Sequence, residues 1–325
     1  MRGVNSDDYS LQDFRANQLT APRVRGSEVV VADGSVGFTH PDQRTNTRWR
    51  VGPGDEEFLT QTLQVSFNGL PPHTDNIGHG HQNEAAFYIL EGRGYEIHDG
   101  ERYDWEAGDL VVVHTDSVHR HFNESDEPAL ALVIKAKSLW MFLGLIQQGK
   151  IGSWDDDDAF GPPVDWTQLW TPDVESLVKV VKPGDTQWTW TADGHIRLLA
   201  SPATPSVRLF SVDLYEQEVP AGSRTSRHWH MADEIVYVLG GSGHSLHWEV
   251  RAEIADRYQA RVSRKPTRHE ISAGDVLYVP PNTVHQHFNG SGDQPLSLLI
   301  AHNRVFRHLG YDNTSILDPA PEFLP

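Results

Sequence analysis

An all-β fold of two barrels joined by a partly helical bridge is what this 325-residue sequence predicts. Three observations carry that expectation. Short runs of β-branched and aromatic residues, broken by Gly, Pro, Asn and Asp, fill residues 58–135 and resume at Ile196, the spacing of a sandwich or barrel. The second half repeats the first, because one offset of 149 positions carries His79 to His228, His81 to His230, Gly92 to Gly241, Gly94 to Gly243 and His98 to His247. Between the halves, residues 138–150 lose the alternation and read as helix.

Taken in order, residues 1–57 form an N-terminal arm with many charges and few periodic apolar positions; a helix is expected near Asp8 to Leu19, and the arm is expected to pack on a second subunit. The first barrel, residues 58–137, contains the strand-like runs Gln61 to Phe67, Phe87 to Glu91, Tyr95 to His98, Leu110 to His114 and Leu130 to Lys135. The bridge, residues 138–204, begins with the helical stretch and continues through the acidic run Asp155 to Asp158 and the pair Pro162-Pro163, which suit a surface connector. Thr171-Pro172-Asp173 then has the order of an N-cap, a proline at the first helical position and an acid in the first turn, so a short helix is expected. The second barrel, residues 205–303, carries Leu209 to Leu214, Ile235 to Leu239, Ser245 to Val250, Val276 to Pro280 and Leu296 to Ala301, and residues 304–325 form a tail. His119 to His285 is an offset of 166, so the second copy has gained seventeen residues, placed here in a lengthened hairpin around Val250 to Glu270.

Composition narrows the function. A formal charge of -18 repels phosphate backbones and anionic lipid, so nucleic-acid and membrane partners are not expected. With no cysteine, disulfides and thiolate ligands are excluded, and imidazole and carboxylate are left to coordinate any metal. Residues 1–8 lack an apolar core of signal type and no run reaches bilayer length, so a cytoplasmic location is expected.

The chemistry concentrates in His228-Trp229-His230-Met231-Ala232-Asp233-Glu234. Its three potential ligands have equal parity, and on a strand such residues share one face. His285, after a strand and turn, offers a fourth. In the first copy His79, His81 and His119 match, but Ala85 stands where the glutamate would be. Glu84, one residue earlier, has the wrong parity unless a bulge intervenes. A three-histidine site is therefore expected there. His121 and His287, two residues beyond His119 and His285, share their parity and are the candidates for proton transfer. His98 and His247, equivalent across the repeat, and Phe87 are the remaining pocket candidates.

These residues resemble the two halves of a bicupin, a member of the cupin superfamily with two jelly-roll (double-stranded β-helix) barrels. The superfamily motif G-x5-H-x-H-x3-E-x6-G is met by Gly222, His228, His230, Glu234 and Gly241. The motif G-x5-P-x-G-x2-H-x3-N is met by Gly274, Pro280, His285 and Asn289, with Asn282 in place of glycine. In the first copy His114 replaces the motif proline and Asp116 the glycine. The stretch His79-Gly80-His81 through Ala85 to Gly92 further resembles the gentisate and salicylate 1,2-dioxygenases, whose N-terminal barrel uses three histidines with alanine in the glutamate place. Two departures stand out. Those enzymes carry a carboxylate-binding arginine at the position of Phe87, and their C-terminal barrel usually lacks the full ligand set found here.

The resemblance implies a non-haem Fe(II) dioxygenase that cleaves a small hydroxylated aromatic with O2, acting as a homo-oligomer. Mn, Ni, Cu or Zn also suit the ligands. Alternatives are a bicupin decarboxylase or flavonol-type dioxygenase using the second barrel, and a non-enzymatic cupin binding protein. Substrate anion binding would require a replacement for the missing arginine, for which Arg93, Arg102, Arg224 and Arg227 are candidates; a neutral phenol would suit Phe87 better. Which barrel catalyses is left open.

Overall fold

The computed structural model describes residues 23–25, 46–52, 58–59, 62–152, 160–164 and 174–323. The expected helix at Asp8 to Leu19, the run Asp155 to Asp158 and the cap at Thr171 lie outside the described residues. What is described is almost entirely β, with short helices at Lys137–Phe142 and Val305–His308.

Each half is a barrel made of two facing sheets. In barrel 1, strands Leu110–Val113, Ala85–Glu91, Ala129–Lys135, Gln64–Leu70 and Asn46–Gly52 lie side by side in one sheet. The other sheet holds His79–His81, Ser117–Asn123, Arg93–His98 and Glu101–Glu106. Barrel 2 repeats the plan. Asp275–Val279, Glu234–Gly240, Leu296–Asn303, Val212–Val219 and Gly194–Ala200 face a sheet of Ser242–Ile254, Thr283–Asn289 and Arg227–His230. The seventeen-residue gain forms a hairpin in which Ile254 pairs with Tyr258 at the end of an outer ribbon.

Two sequence boundaries shift. Strand Asn46–Gly52 falls in the segment read as an arm, yet it pairs along Gln64–Leu70 inside barrel 1. Strand Gly194–Ala200 falls in the segment read as a bridge, yet it pairs along Val212–Val219 inside barrel 2. The two are repeats of one another: Trp49 pairs with Ser66 as Leu198 pairs with Tyr215, and each strand has its register shift at the same place. The repeat thus extends upstream of where the sequence shows it, because pairing geometry survives after side-chain identity is lost. The helix expected over 138–150 covers only Lys137–Phe142; Gln148–Lys150 is instead a strand on the edge of His79–His81. Gly144, with a φ of 71°, ends the helical stretch, a conformation that costs glycine little.

The barrels share one apolar core. Leu63, Val65, Phe67, Tyr88, Leu110 and Leu132 of the first pack with Leu199, Leu214, Ile235, Tyr237, Val276 and Leu299 of the second in a single buried cluster. Polar contacts across it are reciprocal. Glu84, next to the ligand strand of barrel 1, accepts hydrogen bonds from the backbone N–H of Phe210 (2.9 Å) and of Ser211 (2.9 Å) and from the Ser211 hydroxyl (2.6 Å). Asp233, its counterpart in barrel 2, accepts one from the Thr62 hydroxyl, and Thr62 is the repeat partner of Ser211. Glu84 is therefore committed to the inter-barrel seam and is not a ligand, as parity predicts.

Candidate metal centres

Backbone geometry positions the histidines. His79–His81 and Arg227–His230 are short strands whose alternate residues face inward, and each pairs with the strand carrying the distal histidine: His79 opposite His119, His228 opposite His285. The structure brings together His79, His81 and His119 in barrel 1, and His228, His230, Glu234 and His285 in barrel 2. In each group the potential ligand atoms lie within 4.8 Å of one another.

The donor chemistry fits a first-row metal ion. A ligating imidazole needs one ring nitrogen tied to an acceptor so that the other presents its lone pair. His79 Nδ1 sits 2.9 Å from the Ile77 carbonyl and His81 Nδ1 2.8 Å from that of Asn83. His230 Nδ1 is 2.9 Å from Ala232 O and His285 Nδ1 3.1 Å from Thr283 O. His228 Nδ1 is 2.9 Å from the Ser226 hydroxyl, which donates to Asp193, and lies 3.2 Å from that carboxylate. These contacts leave Nε2 of each ring for coordination, with His230 Nε2 3.3 Å from its fellow ligand Glu234; His119 Nδ1, His285 Nε2 and Glu234 Oε1 are buried without hydrogen-bond partners. Burial, with the Lys135 charge beside it, pushes the His81 imidazole down to about 3, and burial likewise lowers His79 and His119, so all three are neutral ligands at ordinary pH.

The surroundings of the two centres differ. Barrel 1 contains a cavity of about 320 Å³ against His79, His81 and His119. Its wall includes Ala85, Phe87, Ile89, Trp105, Val111 and Val133, and also His121, Lys135, Lys137 and Gln148. In barrel 2 the equivalent space is taken. Glu234 stands where barrel 1 has Ala85, His302 Nε2 lies 2.5 Å from its Oε2, and Tyr215, the repeat partner of the cavity residue Ser66, reaches His302 at 3.3 Å. Burial alone would raise the Glu234 carboxyl, but His285 and His302 outweigh it and hold the group well below the usual carboxylate range.

The other candidate residues are placed as follows. His121 lines the cavity; its ring stacks obliquely on Phe87 with centroids 4.7 Å apart, its Nδ1 is 3.6 Å from the buried Glu96, and its Nε2 is buried without a partner. His287 is fully buried, with Nδ1 3.0 Å from the Ser245 hydroxyl and Nε2 3.6 Å from Glu234, so it supports the carboxylate of the second centre. His98 and His247, candidate substrate contacts, lie beside the ligands. Each is the buried cross-strand neighbour of a distal ligand, His119 or His285; His98 is absent from the cavity wall and is engaged by Glu96 at 3.3 Å. Arg93, Arg102, Arg224 and Arg227 do not line the cavity either.

Sequence reading missed Lys135, His302, Glu96 and Asp193. A parity count along strand Leu296–Asn303 would have put His302 opposite Glu234, which is its observed pairing. Asp193 sits in the hairpin turn between Trp188–Thr191 and Gly194–Ala200, which the pair Asp193-Gly194 marks in the sequence. Burial, reinforced by Lys137, pushes the Lys135 ammonium down to about 8.

Comparison with known proteins agrees with this architecture. A Cupin domain model matches residues 68–135 and a Cupin model residues 191–304, together more than half of the chain. A 1-hydroxy-2-naphthoate 1,2-dioxygenase of Nocardioides sp. (strain KP7) is 22% identical over 322 residues, covering 90% of this chain and 78% of that protein. Among solved structures, salicylate 1,2-dioxygenase from Pseudaminobacter salicylatoxidans superposes with a TM-score of 0.64 at 14% identity, over 87% of this chain and 83% of that one. A point mutant of Bacillus subtilis oxalate decarboxylase reaches 0.51 at 18% identity, over 79% and 72%. Two barrels with matching cupin models, each presenting its histidines as the superfamily motifs require, establish that the chain belongs to the cupin superfamily and is a bicupin.

Proposed function

We propose that the chain is a non-haem Fe(II) dioxygenase that cleaves a small hydroxylated aromatic compound in barrel 1. The observation that carries this reading is the cavity of about 320 Å³ set against three histidines with Ala85 in the glutamate place. A metal held by three histidines alone would remain open to the oxygens of a chelating substrate and to dioxygen. The similarity over most of the chain to a 1-hydroxy-2-naphthoate 1,2-dioxygenase supports the same reaction class.

His79, His81 and His119 would hold the ion, which when bound supplies Lewis acidity toward substrate oxygens and redox capacity toward dioxygen. The chain's own groups do the rest. Phe87, Ile89, Trp105 and Val111 form an apolar wall that receives an aromatic ring and excludes water. Glu96, 3.6 Å from Nδ1 of His121, favours the proton on that nitrogen, which would leave Nε2 as the acceptor for a phenolic proton.

A second reading, decarboxylase chemistry in barrel 2, is favoured by its four-residue ligand set and by the likeness to oxalate decarboxylase. His302 and Tyr215 count against it, because they crowd Glu234 where a small carboxylate would have to enter. The barrel 2 centre is then a structural metal site. Metal analysis of purified wild type, His79→Ala and His228→Ala, with oxygen uptake on 1-hydroxy-2-naphthoate, salicylate, gentisate and oxalate, separates the readings. The expected result is that each variant loses one equivalent of metal and only His79→Ala abolishes aromatic-dependent uptake. Full metal retention by both variants defeats the metalloenzyme reading, and loss of uptake in His228→Ala alone moves catalysis to barrel 2.

A further inference from the structure

The internal repeat compares two versions of one position. In barrel 2 the strand register sets Glu234 opposite His302, and the two side chains form a close carboxylate–imidazole contact of 2.5 Å. In barrel 1 the pair Ala86 and Ile134 fixes the same register one step along, so Ala85 stands opposite Lys135. The same position thus pairs a carboxylate with an imidazole in barrel 2, and an alanine with a lysine in barrel 1. What was a side chain in one barrel is an open slot in the other, because both Ala85 and Lys135 line the cavity.

Charge makes the same point from the whole wall. The chain carries -18 overall, yet among the described residues no aspartate or glutamate lines the barrel 1 cavity. Its titratable lining consists of four histidines and two lysines, Lys135 and Lys137. Lys137 donates to Gln148 Oε1 at 2.5 Å, which ties it to the edge strand beside His79–His81. Phe87 contributes an apolar surface and no charge. An acid-free, cation-lined chamber in an acidic protein is built for an anion, since bringing a carboxylate out of water requires a fixed opposite charge.

Resting on the reading of barrel 1 as the substrate chamber, we propose that Lys135, assisted by Lys137, is the specificity-determining residue that holds the carboxylate of an aromatic acid in the slot opened by Ala85. The substrate would supply in barrel 1 the carboxylate that barrel 2 carries as Glu234. An ammonium is a compact point charge rather than a bidentate fork, so it holds one carboxylate oxygen and leaves the other oriented toward the histidines. Phe87 then packs on the ring instead of pairing with its acid group.

The test is anaerobic fluorescence titration of the metal-loaded full chain with 1-hydroxy-2-naphthoate and with 1-naphthol, which differs by the carboxylate alone. Wild type is expected to prefer the acid by about 10- to 100-fold, the range for a hydrogen bond to a charged group. Lys135→Met should erase that preference with metal content unchanged, and Lys135→Arg should restore much of it. Retention of the preference in folded, metal-replete Lys135→Met overturns the proposal. If that variant does not fold, Ala85→Glu reads the same slot: refilling it should weaken the acid far more than the naphthol, and equal weakening overturns the proposal. Acid preference lost with Lys135 but without oxygen uptake on any aromatic would defeat the dioxygenase reading while supporting the lysine site. Oxygen uptake with acid and naphthol used equally would do the reverse.

Discussion

Single residues define the two centres, and the same residue type has different work in each. His121 and His287 share a motif position, but His121 lines a cavity and His287 abuts Glu234, so only the first is placed to touch a substrate. His121→Gln is expected to lower kcat about 100-fold, the usual scale for losing a general base, with little change in KM and full metal content; a fall confined to KM would assign it to binding instead. His114 shows why the first copy departs from the motif proline. Its Nε2 lies 2.6 Å from the Val207 carbonyl on the approach to barrel 2, a contact a proline could not make. Burial pushes this imidazole down to about 3, below its ordinary value near 6.5. Protons therefore bind the unfolded chain first as pH falls. Its stabilising contribution is complete above about pH 6.5 and is lost progressively down to about 3, at up to about 1.4 kcal/mol per pH unit. Urea unfolding followed from pH 7.5 to 5 should show the loss, and His114→Gln, which keeps a donor without a titrating ring, should make it shallower. An unchanged slope in that variant would assign the pH dependence to other buried histidines.

Elements explain which features of the repeat survived. Gly94 and Gly243 are equivalent, and both sit where the backbone of the opposite strand comes too close for a side chain: a Cβ would collide with the Phe122 carbonyl oxygen at one and the Phe288 carbonyl oxygen at the other. Their preservation is steric rather than chemical. Gly94→Ala and Gly243→Ala are each expected to cost about 2–4 kcal/mol, measurable by chemical denaturation, since the clash is with backbone and cannot be relieved by a rotamer change. A loss under about 0.5 kcal/mol would mean that the strands separate there at little cost. Strand parity makes the ligands legible in the sequence, because period-two alternation survives when barrel curvature is unknown. The stretch from 138 to 150 reads as continuous helix because its apolar residues carry no alternation; edge pairing with His79–His81, a tertiary contact, turns Gln148–Lys150 into a strand.

At the scale of the whole molecule the two barrels share one core. Glu84 reaches out of barrel 1 to Phe210 and Ser211, Asp233 reaches out of barrel 2 to Thr62, and a shared apolar cluster lies between them. Each of these acids is also adjacent to a ligand position, Ala85 or Glu234, so the seam and the centres are built from the same turns. Asp233→Ala leaves buried donors unsatisfied, at about 1–3 kcal/mol. It is expected to lower stability and to reduce metal retention in barrel 2, with calorimetry and metal analysis as the measurements. Retained stability with metal loss would show that the turn serves the centre rather than the seam.

The sequence by itself determined the duplicated all-β plan, the seven metal-ligand candidates and the missing glutamate. Those follow from local periodicity and from spacing within single strands, which chain connectivity preserves. Only the tertiary structure decided that barrel 1 is open and barrel 2 filled. The residues that make the difference, Ser66 against Tyr215, Ala85 against Glu234 and Lys135 against His302, lie on separate strands whose meeting depends on register and closure. It also put Lys135 and Lys137, and none of the four candidate arginines, on the wall of the chamber, since the inward wall of a barrel exists only once the sheets have folded on each other.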